Sequence, residues 1–172
     1  WGSDEQEDIW SGIKALIERG IAKKGKIGVT GTSYGGYSSW YAITKASELV
    51  SAAVPICGMT DLVVDYKTTR PDLRPYSEEM MGGNPKQVPK RYYERSPINF
   101  VQQIKGKIMI VQGARDPNVT PRNVEEVRKG LDKEGIKYEL LVFRDEGHGI
   151  LKTKNQKILF RKIAEFFAKA LE

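Results

Sequence analysis

Three residues of this sequence are equipped for nucleophilic chemistry, each in a glycine-bearing turn. Ser33 lies in Gly31-Thr32-Ser33-Tyr34-Gly35-Gly36, Asp116 in Gly113-Ala114-Arg115-Asp116-Pro117, and His148 in Asp145-Glu146-Gly147-His148-Gly149. A serine hydroxyl is a weak nucleophile until a neighbouring base takes its proton, and that base must itself be held in one orientation. His148 is the single histidine, so as the base it has no internal competitor. Asp116 is expected to fix the His148 ring and to stabilise its charged form. Asp145 and Glu146 rank well behind it, because they are too close to His148 along the chain to fold back around the ring.

The Ser33 segment fits the Gly-x-Ser-x-Gly nucleophile elbow, in which a serine occupies a tight strand-to-helix turn. Gly31 and Gly35 are expected to be small so that the backbones can pass, and Gly36 to let the helix pack close. The elbow also places a helix start beneath the serine, which aims the Tyr34 amide at a developing oxyanion. Alone, the motif is a weak signal. The chain order Ser, Asp, His strengthens it, since that is the order of α/β-hydrolases.

These turns need elements to hold them. Asp4, Glu5, Glu7 and Asp8 crowd the start of a helix, with Ile9, Ile13, Leu16 and Ile17 at helical spacing. Ser3 and Gln6 read as a capping box, and Gly20 as the stop. Apolar runs at 26–32, 51–57, 107–112 and 137–143 read as buried strands. Helices are expected from about Tyr34 to Ser47, from Pro121 to Gly135 with Pro121 as the first helical residue, and along Leu159, Ile163, Phe166, Phe167 and Ala170. The stretch 58–103 is rich in turn residues and holds only short helical pieces. Continuous apolar strands alternating with helices predict a parallel sheet covered on both faces, with about four strands. Ser33, Asp116 and His148 each follow a strand, so all three are expected at one sheet edge.

The 172 residues suit one domain, and 40% hydrophobic with 29% charged is an ordinary globular balance. The net charge of +6 is spread among acids on helix faces such as Lys152–Lys162. Lys86, Lys90, Arg91 and Arg95 flank Tyr92 and Tyr93 without any recognised RNA or DNA motif, so no nucleic-acid partner is expected. No run approaches a membrane span. With Cys57 as the only cysteine, no internal disulfide forms, and a buried, inert thiol is expected. Neither a metal nor a cofactor is expected. One cysteine and no visible leader lead to an expected cytoplasmic location, although the chain begins at Trp1 rather than Met.

Taken together, these segments resemble the catalytic domain of the prolyl oligopeptidase family, especially its acylaminoacyl-peptidase and dipeptidyl-peptidase-like branch. The likeness runs from Trp1-Gly2 through Ile27–Tyr37, Met81-Gly82-Gly83-Asn84-Pro85, Arg95-Ser96-Pro97-Ile98 and Gln112–Asp116 to Asp145–Gly149. It implies a three-layer α/β/α hydrolase fold, here partial, with residues 1–172 forming the C-terminal half of a truncated catalytic domain. Ser33, Asp116 and His148 match the family triad, and Tyr34 matches one oxyanion donor. The second donor belongs to the half without a counterpart here, at a cost of roughly 10²–10³ in turnover.

The implied activity is a serine hydrolase acting on a peptide or ester through an acyl-enzyme. A small carboxylesterase of the same fold is one alternative, and an incomplete module completed by another chain is the other. Without an upstream neighbour, strand 26–32 becomes an exposed edge, so a homodimer or a complementing chain along it is expected.

Overall fold

The four apolar runs become four parallel strands in the computed structural model, which describes all of residues 1–172. They are β1 (Gly28–Thr32), β2 (Ala52–Ile56), β3 (Lys107–Gly113) and β4 (Tyr138–Phe143), side by side in chain order. The helices are α1 (Asp4–Glu18), α2 (Tyr34–Lys45), α3 (Leu62–Thr68), α4 (Arg74–Met81), α5 (Pro89–Glu94), α6 (Arg122–Lys133) and α7 (Thr153–Ala170). Thr32 stands beside Ile56, Ile56 beside Val111, and Gly113 beside Phe143. The carboxyl ends of the strands therefore share one edge, and the loops that follow them meet there.

Strand alternation splits the core in two. Ala53 of β2 with Ile108 and Ile110 of β3 faces Ile13 of α1, Trp40 and Ile43 of α2, and Val127 and Leu131 of α6. On the opposite face, Val54, Ile56, Met109 and Val111 pack with Leu159 and Phe166 of α7. The layering is thus helices, sheet, helix, an α/β-hydrolase arrangement. Each Val or Ile buried whole stabilises the fold by roughly 1.5–3 kcal/mol. The turn-rich stretch 58–103 carries short helices, and its Met59, Leu62, Met81 and Tyr92 join Tyr37 and Tyr41 of α2 in a third cluster.

Two local expectations are corrected. Ser3 precedes α1, but its side chain makes no capping hydrogen bond. Instead the Glu5 carboxylate accepts the amides of Gly2 and Ser3. Gln6 is buried, and its amide donates to Ser38 Oγ at 3.0 Å; a tertiary contact has displaced the local cap. Pro121 is the residue before α6 rather than its first. In the basic stretch near residue 90, Arg91 donates to the Met81 carbonyl, Lys90 pairs with Glu94 and Tyr92 is core. No helix is long and apolar enough to cross a membrane.

β1 pairs only with β2, leaving its outer edge open. Ser33 N–H donates to the Ile56 carbonyl. By ladder alternation the amides of Gly28, Thr30 and Thr32 then point away from the sheet. In dilute solution they should exchange with solvent orders of magnitude faster than those of β3, measured by hydrogen exchange. Protection that appears at high concentration together with a doubled mass would mark pairing with a second copy, and a monomer with freely exchanging amides at high concentration would remove that pairing.

Candidate active site

Ser33 joins β1 to α2 at φ 60° and ψ −118°. A residue with a Cβ rarely adopts positive φ. The turn is pinned on both sides: Ser33 N–H donates to the Ile56 carbonyl, and the Ser33 carbonyl accepts from Tyr37 N–H, both at 2.9 Å. A Cβ at Gly31 would lie 2.6 Å from the Gly35 backbone, so Gly31 must be small, as expected. The same expectation for Gly35 is corrected, because a Cβ there meets nothing within 4 Å. The crossing constrains only the strand-side glycine. Gly36 is the second tight position: its Cβ would meet the Ile56 carbonyl oxygen at 2.6 Å and Gly58 Cα at 2.8 Å. The Gly58 contribution is not visible in sequence, since Gly58 belongs to no motif.

At the same sheet edge, His148 Nε2 is 2.8 Å from Ser33 Oγ, and His148 Nδ1 is 2.8 Å from Asp116 Oδ2. The Asp116 side chain is fully buried and that of His148 is 23% exposed. The ring thus spans from a dry anchor to an accessible hydroxyl. The other Asp116 oxygen, Oδ1, accepts the amides of Asn118 and Val119 at 2.9 and 3.0 Å. The same carboxylate therefore forms the Asp-Pro turn and holds the imidazole, and the turn sets the direction in which Oδ2 points. Such a row can pass a proton from serine to histidine while the aspartate steadies the charged ring.

The remaining carboxylates near His148 have other partners. Asp145 pairs with Lys152 and Lys154 and accepts from Asn155. Glu146 accepts the amides of Leu151 and Lys152 together with Asn155 Nδ2, and so secures the approach to α7. Cys57 is buried at the end of β2, and burial pushes its thiol up, which keeps it protonated.

Tyr34 is the first residue of α2, where backbone amides lack intrahelical acceptors. Its side chain leans over Trp1 at 5.6 Å between ring centroids, and its hydroxyl donates to Glu5 Oε1 at 2.6 Å. Burial pushes the Glu5 carboxyl up, but hydrogen bonds from Tyr34 and from backbone amides outweigh that and hold it down at about 2.

A cavity of about 280 Å³ opens beside Ser33 and His148, walled by Trp1, Tyr34, Met59, Leu73, Tyr76 and Val119. Asp65 of α3 also lines it, a residue that belongs to no sequence motif. In sequence it directly follows the apolar run Leu62-Val63-Val64, which marks a buried segment but not a cavity. Asp65 Oδ1 accepts from Asn123 Nδ2 of α6 at 3.2 Å, and Asn123 Oδ1 accepts the Thr60 amide. Burial, reinforced by the nearby Asp116 charge, pushes the Asp65 carboxyl up to about 7, against the hydrogen bond from Asn123.

The glycine geometry separates two neighbouring substitutions. Gly35→Ala should leave stability unchanged or raise it by up to ~1 kcal/mol, through helix propensity. Gly36→Ala should cost ~1–3 kcal/mol, because backbone on the facing segment must move. Thermal melts of the two variants check the contrast.

The model of the prolyl oligopeptidase family matches residues 1–172. Dipeptidyl peptidase family member 6 of Caenorhabditis elegans is 29% identical over 99% of this chain and 24% of its own length. Dipeptidyl aminopeptidase BIII of Pseudoxanthomonas mexicana is 28% identical over 97% of this chain and 25% of its own length. The chain thus spans about a quarter of these curated relatives. Among solved structures, a puromycin-hydrolyzing peptidase of Mycobacterium tuberculosis superposes with a TM-score of 0.93 at 27% identity, covering 99% of this chain and 26% of that one. With a family model matched from first residue to last and the α/β-hydrolase layering in place, this chain belongs to the prolyl oligopeptidase family of peptidases.

Proposed function

We propose that the chain carries the acyl-transfer site of a serine peptidase, with Ser33 as nucleophile, His148 as general base and Asp116 as the acid that orients it. The observation that supports this most directly is the unbroken row from Asp116 Oδ2 through His148 to Ser33 Oγ, with both contacts at 2.8 Å. In the forward step Ser33 Oγ bonds to the substrate carbonyl carbon while its proton passes to His148 Nε2. The carbonyl electron pair moves onto oxygen, where the Tyr34 amide stabilises it. As the tetrahedral adduct collapses, the bond to the leaving amine or alcohol breaks, and that group takes the proton from His148. Water then repeats the sequence on the acyl-enzyme and frees Ser33. The names of the relatives, dipeptidyl peptidases and dipeptidyl aminopeptidases, favour a peptide substrate. Aryl esters serve as the most sensitive probe, because their leaving group departs easily.

A fluorophosphonate should label the chain on Ser33 and fail to label Ser33→Ala. Asp116→Asn retains an acceptor for the turn amides but gives up the charge behind the ring, so aryl-ester turnover should fall by roughly 10⁴ with little change in KM. Equal labelling of the chain and Ser33→Ala, or wild-type turnover in Asp116→Asn, would falsify the assignment.

A further inference from the structure

Asp65 is the one carboxylate in the wall of the Ser33–His148 cavity. It is 4% exposed, and the Asn123 amide is the only group that donates a hydrogen bond to its side chain. None of the ion pairs of the fold includes it. Buried carboxylates are ordinarily paired or heavily hydrogen-bonded. Asp116, buried to the same degree, accepts three hydrogen bonds. Asp65 Oδ2 accepts none, and it is not sealed from solvent as the buried orphan atoms of the fold are. The remaining cavity wall is mostly apolar and aromatic, with Trp1, Tyr34 and Tyr76 among it. Such a wall suits an alkyl stem that carries a charged tip.

We infer that Asp65 determines specificity in this pocket by pairing with a primary ammonium at the end of the substrate's acyl-side chain, so that lysine-like acyl groups are preferred. The inference rests on the acyl-transfer reading of Ser33. Asp65 acts on binding and positioning of the acyl residue, without touching the reacting atoms.

The charge of Asp65 depends on pH in the working range, since burial and the Asp116 charge push its carboxyl up to about 7. The groups that act on it are Asn123 from α6, Asp116 and His148 from the loops after β3 and β4, and Asp61 from the start of its own helix. A lysine ammonium remains charged throughout this range. Pairing therefore strengthens as pH rises through about 7.

The test compares Nα-acetyl-lysyl and Nα-acetyl-norleucyl aryl esters on the full chain, which removes the α-amine and varies only the tip. At pH 8 the lysyl ester should be preferred ~10- to 100-fold in kcat/KM, the range of a charge-assisted hydrogen bond. The preference should shrink as pH falls below about 7; pH effects on the acyl-transfer step, common to both esters, cancel in the ratio. Asp65→Asn should erase the preference while still turning over the norleucyl ester. Its melting temperature at pH 8 should equal or exceed the wild type's, because a group whose folded value is raised loses stability as pH climbs through that value.

Equal rates for the two wild-type esters, or a preference that survives Asp65→Asn, would overturn the inference. If the variant does not fold, the wild-type ratio decides: a value flat from pH 6 to 8 sinks the role of Asp65. Ligand-observed NMR with Nα-acetyl-lysine amide and Nα-acetyl-norleucine amide separates the two levels of the argument. Selective lysine binding without ester turnover supports the pocket and removes the hydrolase reading, whereas turnover without selectivity in either measurement removes the pocket alone.

Discussion

Ser33 occupies a backbone conformation that costs a residue with a side chain about 1–3 kcal/mol, and the rest of the site is arranged around keeping it there. The hydrogen bond from Ser33 N–H to the Ile56 carbonyl anchors it to β2, and the bond from Tyr37 N–H begins α2. Neither could form if the strand and helix stood farther apart. Gly31 against Gly35 and Gly36 against Gly58 bring the backbones within reach. Local strain is thus balanced by tertiary hydrogen bonds and by the buried face of α2, where Trp40 and Ile43 are all but inaccessible. The hydroxyl is raised above the sheet edge because the chain cannot relax away from the turn.

That constraint would be idle without the parallel register. Three loops, from three different strands, must deliver an oxygen, a ring and a carboxylate to within 2.8 Å of one another in sequence. Thr32 ends β1 beside Ile56 of β2, Ile56 stands beside Val111 two residues before the end of β3, and Gly113 ends β3 beside Phe143 of β4, so the loops depart from the same sheet edge. Backbone bonds then tie the loops together: Ala114 N–H reaches the Phe143 carbonyl, and Arg115 N–H reaches that of Glu146. The Asp116 and His148 loops therefore move as one body, and Asp116 cannot drift from the ring without breaking sheet-edge hydrogen bonds as well.

Most of this frame was legible in the sequence because it is periodic. The apolar runs, helical repeats of isoleucine and leucine, and glycines at the elbow are all local patterns, although of the four strands expected to be buried only β2 and β3 are, while β1 and β4 stay largely exposed at the sheet edges. The spacing also placed Ser33, Asp116 and His148 on a common edge, and the structure brings them together. What escaped was set by contacts between distant segments. Gln6 looked like half of a capping box, yet Ser38, 32 positions on, takes its side chain. Gly35 looked constrained by motif, yet the steric demand falls on Gly31 alone of that pair. Gly58 and Asn123 belong to no motif, and their importance arises only where α2 meets β2 and where α3 meets α6. Asp65 was hidden for the same reason, since a carboxylate in an irregular stretch carries no sign of the cavity it will face.

The contrast between Asp65 and Asp116 shows how position divides two residues of identical chemistry. Both are buried within a few per cent of full exclusion. Asp116 meets two backbone amides and an imidazole, donors that are part of the fold and present at all times. Its charge is compensated within the fold itself, so it can serve as a fixed anchor for the His148 ring. Asp65 meets one side-chain amide, and burial outweighs that single bond, so its carboxyl titrates near 7. A fold selected only for stability would do better with asparagine there, which could still pair with Asn123 at no charge cost. An ionisable group retained at the wall of the Ser33 cavity has compensation still to gain, and the cavity is the side from which a cation can supply it.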